Sequence, residues 1–515
     1  MSLQSALPRH VRYPITGRLR FIAMLCSAAL LLVPTGSISA QNRGGDLPRS
    51  TPEAQGVSSA ALLSFIENAD QKIDTMNSVV VVRHGHIIAE GYWAPYDAST
   101  RHALYSLTKS FTSSAIGLAV AERKLTIDDL VLPLFPEDAP AEPGSNLKSL
   151  RIRDLLAMST GQHSEPRNRA DDHWTKNFLA HPFEHKPGTY FLYNTPASHM
   201  LSAIIQKKAG QPLLEYLRPR LFEPLGITDP VWNASPQGVT SGGWGLKLRS
   251  REIARFGQLY LQRGKWQGRQ LLPESWVTQA TSRQVSNGSN PASDWEQGYG
   301  YQFWRTRHGF YRGDGAFGQF CVVMPEHDAV VVITSGVRNM QAVLDLVWEG
   351  LLPVFRPKPL PVDQRSQQQL VTRLGTLGVR KPSGSATPSN PELLGRQYDL
   401  SANTQKFESI RLDRTGDETI LTIGQNGAEK RIVVGSSDWR RGELVWGEFP
   451  RQPVAATGVW TAPDTFRVRV CFNEEPFILD LVLKFAGDEV SFDAQFNVSF
   501  GLTAQPTLKG RIRRS

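Results

Sequence analysis

Two hydrophobic periods, divided by a proline-rich break, constrain this chain more than any other feature. Leu352 is followed by Pro353, Pro357, Pro359 and Pro361, then by a glutamine-rich stretch near Gln367 and by Lys381 to Pro388. That composition predicts a linker over 356–391 with room for one short helix. Before it, over 41–355, helical and turn segments alternate. After it, over 392–515, the period becomes two: Phe466, Val468, Val470 and Phe472 point one way while Arg467, Arg469 and Cys471 point the other, and Leu479, Leu481, Leu483 and Phe485 repeat the device. The second part therefore reads as an all-β domain, a barrel or sandwich of about seven or eight short antiparallel strands. A chain of 515 residues has length for two or three domains with substantial cores.

Residues 1–40 belong to neither part. Arg9, Arg12, Arg18 and Arg20 precede the apolar run Phe21 to Val33, and small residues up to Ala40 follow. This is the pattern of a secretory signal, too short for a membrane span, and predicts an exported, periplasmic protein. Without those four arginines the formal charge falls from +9 to +5. No basic cluster with interleaved aromatics suggests nucleic acid. Past the signal only Cys321 and Cys471 remain, in strand-like stretches far apart, and both read as buried free thiols, with a bridge, which export would permit, as the alternative. His84 and His86 straddle a turn with no third ligand nearby, so no metal is implied.

Val79 to Tyr92 reads as a hairpin turning at His84-Gly85. Arg153 to Gly161 reads as a helix stopped by its glycine, with further helices over 252–262, 274–280 and 340–351. Strands are expected at Gly318 to Met324 and Ala329 to Ser335, turning at Pro325 to Asp328. Strands at both ends with helices between predict an α+β domain built around one antiparallel sheet.

Chemistry enters at Ser106-Leu107-Thr108-Lys109. A spacing of three on a helix brings the hydroxyl and the amine to one face, and a serine becomes nucleophilic when a neighbouring base takes its proton. A second copy, Ser145-Asn146-Leu147-Lys148, follows Glu142-Pro143-Gly144 and reads as solvated loop. The first copy opens a run in which Phe111, Ala115, Leu118 and Ala119 recur at helical spacing among small residues, as in a helix buried on several sides. Ser106 as a plain helix cap is the alternative. Gly-x-Ser-x-Gly, phosphate-loop, His-Glu-x-x-His and zinc patterns are absent from the sequence.

Taken with Asp154 to Gly161, Pro187 to Thr195 and Gly313 to Gln319, the Tyr105 to Phe111 segment resembles the class C β-lactamases and their serine-hydrolase relatives, which include D-alanyl-D-alanine peptidases, esterases and 6-aminohexanoate-dimer hydrolases. The resemblance spans roughly Leu62 to Leu352. It implies an α/β/α sandwich around the antiparallel sheet, Ser106 as nucleophile, Lys109 and Tyr193 as proton-transfer residues, and an oxyanion hole from the Ser106 and Ala316 amides. It also implies that an adjacent ammonium lowers the Tyr193 phenol below its ordinary pKa near 10.

The departures point to substrate. Thr195 stands where the β-lactamases carry Asn. Gly313-Asp314-Gly315 stands where relatives have Lys-Thr-Gly or His-Thr-Gly, so the cation that holds a substrate carboxylate is missing, unless Arg312 supplies it or Asp314 attracts an amine. The glycines are expected to admit substrate to the strand edge. Trp244, in Gly242 to Gly245, and the segment Asp294 to Tyr301 are expected to rim the cleft. These features favour an esterase or amidase acting on a small-molecule or peptide-like substrate without a cofactor. A β-lactamase or D,D-peptidase and an inactive binding or scaffolding relative are the alternatives. The C-terminal part resembles the lipocalin-like β domain appended to some such hydrolases, with a structural or substrate-limiting role expected and lipid binding as the alternative.

Overall fold

The computed structural model describes residues 46–168, 172–384, 387–388, 391–416, 418–447 and 449–513. The expected signal lies outside the described residues. Helix α1 (Ser59–Lys72), capped by the Ser58 hydroxyl, leads into β1 (Met76–Arg83) and β2 (His86–Tyr92). With β3 (Trp304–Arg305), β4 (Tyr311–Gly315), β5 (Gln319–Met324) and β6 (Ala329–Ser335) these form one antiparallel sheet in the order β2-β1-β6-β5-β4-β3. The pairing of β1 with β6, Val80 opposite Val332, brings the two ends of the domain together.

The unbroken Val79-Val80-Val81-Val82 run follows from burial on both faces. Val80 and Val82 pack with Val330 and Val332 against α2 (Thr108–Ala121) and α4 (Ser250–Leu261), while α3 (Thr195–Ala209) joins the same core. Val79 and Val81 pack with Val331 and Ile333 against α1 and α5 (Met340–Leu346), which runs on as a wider turn to Leu351. The domain is thus a helix–sheet–helix sandwich. Two local expectations change. The helix predicted over 153–161 ends at Leu156, five positions short of Gly161, with Met158 already in the left-handed region. Ser145–Ser149 is a short helix rather than a loop, because Leu147 has a core to enter, although Ser145 and Lys148 stay exposed.

The linker is not a free tether. It carries α6 (Gln364–Gly375), whose first turn is capped by Asp363 accepting from the Ser366 N–H at 3.0 Å, and whose Leu370 is buried. Leu374 and Leu377 occupy the space a side chain at Gly91 would take.

The C-terminal sheet has ten strands, not seven or eight. They are β7 (Gln397–Leu400), β8 (Phe407–Thr415), β9 (Glu418–Gln425), β10 (Ala428–Val434), β11 (Arg440–Trp446), β12 (Phe449–Ala462), β13 (Thr465–Phe472), β14 (Ile478–Ala486), β15 (Glu489–Phe496) and β16 (Leu508–Ile512). Their order is β10-β9-β8-β7-β16-β15-β14-β13-β12-β11, so the first strand pairs with the last. The Gly458 N–H donates to the Gly435 carbonyl at 2.9 Å across the remaining gap, leaving a nearly closed barrel. Phe466, Val468 and Val470 fill its interior. Cys471, on the outer face, is buried instead in the core that α1 and α5 share with the sheet. Cys321 and Cys471 are both buried free thiols. Among the described residues no helix is long and apolar enough to cross a membrane.

Candidate active site

A single 3₁₀ turn, Tyr105–Leu107, delivers Ser106 to the start of α2. Ser106 is not a cap: Leu104 and Leu107 occupy the capping positions, and neither end uses a side-chain cap. Tyr105 sits at φ +47°, a conformation that costs a non-glycine residue about 1–2 kcal/mol and must be held by its surroundings. Its ring meets Phe317 edge-on at 5.7 Å and Phe500 at 5.8 Å, and its hydroxyl donates to Glu475 at 3.0 Å.

The small polar residues of α2 explain how loops can crowd around this turn. Ser110 donates to the Gln302 carbonyl at 3.0 Å, Thr112 to the Gly242 carbonyl at 2.7 Å, and Ser114 shares a 2.8 Å hydrogen bond with Tyr260. A side chain at Gly117 would overlap the Trp276 ring. Larger apolar residues would keep these backbones away, and unpaired hydroxyls would be costly to bury.

Lys109 is the second residue of α2, one turn after Ser106, and is 1% exposed. Its Nζ stands 3.0 Å from Ser106 Oγ, 2.9 Å from the Gly243 carbonyl and 3.4 Å from Thr195 Oγ1, and 4.9 Å from the centre of the Tyr193 ring. Burial pushes the amine down to about 7, against the opposing pull of Glu165 and Asp314. A substantial neutral fraction is therefore present at neutral pH, which is what a base for the Ser106 proton requires.

Tyr193 precedes α3 and is clamped by Trp304, stacked at 5.1 Å, and by Tyr299 edge-on at 6.1 Å. Its phenol is shifted opposite to the expectation: burial and the Asp314 carboxylate raise it, with the Ser106 hydroxyl working against them. The reason is the phenol's own burial, which disfavours the phenolate more than any neighbouring charge stabilises it. The phenol therefore stays protonated and can donate, while the Lys109 amine can accept a proton. Asn194 caps α3, accepting from the Ala197 N–H at 3.0 Å and donating to Gln162 at 2.6 Å. Thr195 follows as the first helical residue, its hydroxyl toward Lys109 and its N–H donating to Glu165 at 2.6 Å.

The β4 residues have other roles than expected. A Cβ at Gly313 would overlap the Leu107 side chain, and one at Gly315 would fall on the Leu104 carbonyl oxygen. The glycines thus let the turn that carries Ser106 pack directly on the strand. Ala316 follows directly, next to that turn. Arg312 and Asp314 are two apart on one strand face and form an ion pair, Nε donating to Oδ2 at 3.0 Å with Nη2 2.8 Å from the same oxygen. Arg312 is wholly buried, with Trp295 4.7 Å from its guanidinium. Neither side chain is placed to supply the missing substrate cation or to take an amine. Asp294 is buried as well, accepting from Arg307, Gln341 and Trp348, so its segment backs Tyr193 instead of rimming the cleft.

A cavity of about 200 Å³ shares Thr195 and Gly243 with the Lys109 site and is walled by Trp244 and Trp174, whose ring centres are 6.3 Å apart. Trp244 is 39% exposed, consistent with a rim position. Three further lining residues, Glu165, His199 and Ser241, were not singled out from the sequence. Glu165 lies in a loop with no motif, and His199 is one of several unremarkable positions on α3. Among the described residues no group of three or more His, Cys, Asp or Glu is arranged to hold a metal ion; the His84 ring pairs with Gln55 at 3.1 Å.

The family model described as Beta-lactamase matches residues 66–344. A 6-aminohexanoate-dimer hydrolase from Paenarthrobacter ureafaciens is 24% identical over 334 residues, covering 59% of this chain and 82% of that protein. An Escherichia coli (strain K12) protein with the provisional name D-alanyl-D-alanine carboxypeptidase is 26% identical over 252 residues, covering 43% of this chain but only 56% of its own length. Among solved structures, the octameric penicillin-binding protein homologue from Pyrococcus abyssi is 15% identical with a TM-score of 0.47, covering 87% of this chain and 99% of that one. With more than half of its length matched, the chain belongs to the beta-lactamase family of serine hydrolases.

Proposed function

We propose that this chain is an exported serine hydrolase that cleaves an ester or amide through an acyl-enzyme on Ser106. The observation that carries the reading is the buried Lys109 amine, 3.0 Å from Ser106 Oγ and held near neutrality. As Ser106 Oγ bonds to the substrate carbonyl carbon, its proton passes to Lys109 Nζ. The oxyanion forms between the Ser106 and Ala316 amides. Collapse breaks the carbonyl bond to the leaving oxygen or nitrogen, which takes a proton from Lys109 by way of the Tyr193 phenol. Water then enters, gives its proton back along the same route and releases the acid, restoring Ser106.

Esters and amides without a carboxylate next to the scissile bond fit best. The Arg312 guanidinium is paired with Asp314, and Glu165 is the one charged residue among the described residues of the cleft lining. The similarity to the 6-aminohexanoate-dimer hydrolase from Paenarthrobacter ureafaciens supports this choice. The basic and apolar start of the chain supports export. Steady-state turnover of an activated ester, an anilide, a penicillin and a D-alanyl-D-alanine peptide tests the reading. Ester or anilide turnover should lead; rapid penicillin or peptide turnover with inert esters and anilides would overturn it.

A further inference from the structure

The cavity beside Lys109 combines groups that the hydrolytic steps do not use. His199 is 3% exposed, and both of its ring nitrogens are without a hydrogen-bond partner; Ser241, 1% exposed, has an unpartnered hydroxyl. Buried polar atoms are almost always paired, so two such groups lining one cavity indicate a ligand that pairs them. Burial pushes His199 down to about 4, so its ring is neutral and offers an acceptor nitrogen. The Glu165 carboxylate stands at the mouth, oriented by the Thr195 N–H at 2.6 Å. Trp174 and Trp244 supply aromatic faces.

We infer that this cavity is a subsite for an ammonium group of the substrate. A primary ammonium has three N–H donors and no acceptor, matching a carboxylate, a hydroxyl oxygen and an imidazole nitrogen, and tryptophan faces attract cations. A substrate carboxylate would face Glu165 with no opposing charge among the described lining residues. The cavity meets the reacting centre at Thr195 and Gly243, the two residues that also touch Lys109 Nζ, so the ammonium belongs to the molecule being cleaved. The inference rests on the hydrolase reading and deepens it, from esters and amides in general to cationic ones.

The test compares kcat/KM within matched substrate pairs, 6-aminohexanoyl against heptanoyl p-nitrophenyl esters, and a second pair carrying the ammonium or a methyl group on the leaving side. In wild type at least one pair should favour the ammonium by about tenfold or more. Glu165→Gln should bring that ratio near one, Glu165→Lys should invert it, and Trp244→Ala should reduce it. No preference in either pair, or a preference that survives both Glu165 changes, would overturn the subsite. Fluorophosphonate labelling of wild type reports the hydrolase reading separately. If labelling fails, tryptophan fluorescence titration with 6-aminohexanamide against hexanamide still decides the subsite: tighter binding of the cation supports it and equal binding overturns it.

Discussion

The Tyr105 hydroxyl donates a 3.0 Å hydrogen bond to the Glu475 carboxylate, joining the residue before the nucleophile to a turn of the β barrel 370 positions later in the chain. Glu475 is itself paired with Lys247 at 2.9 Å, and neighbouring Glu474 with Arg101 at 3.2 Å. Phe317, which packs on Tyr105, also meets Phe477 at 5.7 Å. The barrel is therefore part of what holds Tyr105 at positive φ, and through it the direction of Ser106.

Tyr105→Phe keeps the ring contacts and removes only the hydroxyl. A hydrogen bond to a charged group is worth about 1.5–3 kcal/mol. The acylation rate constant should fall about tenfold with KM little changed, and Glu475→Gln, which keeps an acceptor, should fall less. Pre-steady-state kinetics with an activated ester read both. Equal rates in all three proteins would show that the barrel does not position the nucleophile.

The pH dependence follows from Lys109. Acylation needs the neutral amine, so kcat/KM for an uncharged ester should rise with pH through a midpoint near 7 and then level. The raised Tyr193 phenol adds no loss in the neutral range. Stability has the same sign: the folded chain binds the Lys109 proton less tightly than the unfolded chain, so this residue's destabilising effect lessens as pH rises from about 7 toward the ordinary lysine range. The melting-temperature difference between Lys109→Met and wild type should shift toward wild type over that interval.

Gly315→Ala should be the most damaging small change near the site, because the added methyl displaces the Leu104 carbonyl and with it the nucleophile turn. Overpacking of this kind costs about 1–3 kcal/mol of stability, and activity should fall further than stability does. Gly442→Ala, on a barrel strand with nothing near its Cβ, is the control and should match wild type. Thermal melts and ester turnover together check both.

Tyr193→Phe removes the proton donor while leaving the Trp304 stack. General-acid help is worth about 10²–10⁴ in rate, and a nitrophenolate leaves without it. The variant should lose far more activity on an anilide than on the matching p-nitrophenyl ester. Equal losses on both would place Tyr193 in substrate positioning instead.

Much of this was legible because it is local. Ser106 and Lys109 are one helical turn apart, and the period-two run from Phe466 marks the barrel. The ten-strand count was harder, since Gln397–Leu400 and Leu508–Ile512 are too short to show a period and pair across more than a hundred residues. Tyr193's shift depends on how deeply its own ring is buried and on the Asp314 carboxylate, which spacing does not encode. The Arg312–Asp314 pair and the Glu475 contact were hidden for the same reason: an alternating strand and an acidic turn look the same whether or not a partner faces them. Glu165 and His199 gain meaning only from the cavity they share.

Intact-mass analysis with a fluorophosphonate, followed by peptide mapping, tests the central claim most directly. Wild type should gain one adduct, mapped to Ser106, and Ser106→Ala should gain none; an unlabelled wild type, or labelling that persists in Ser106→Ala, would contradict Ser106 as the nucleophile.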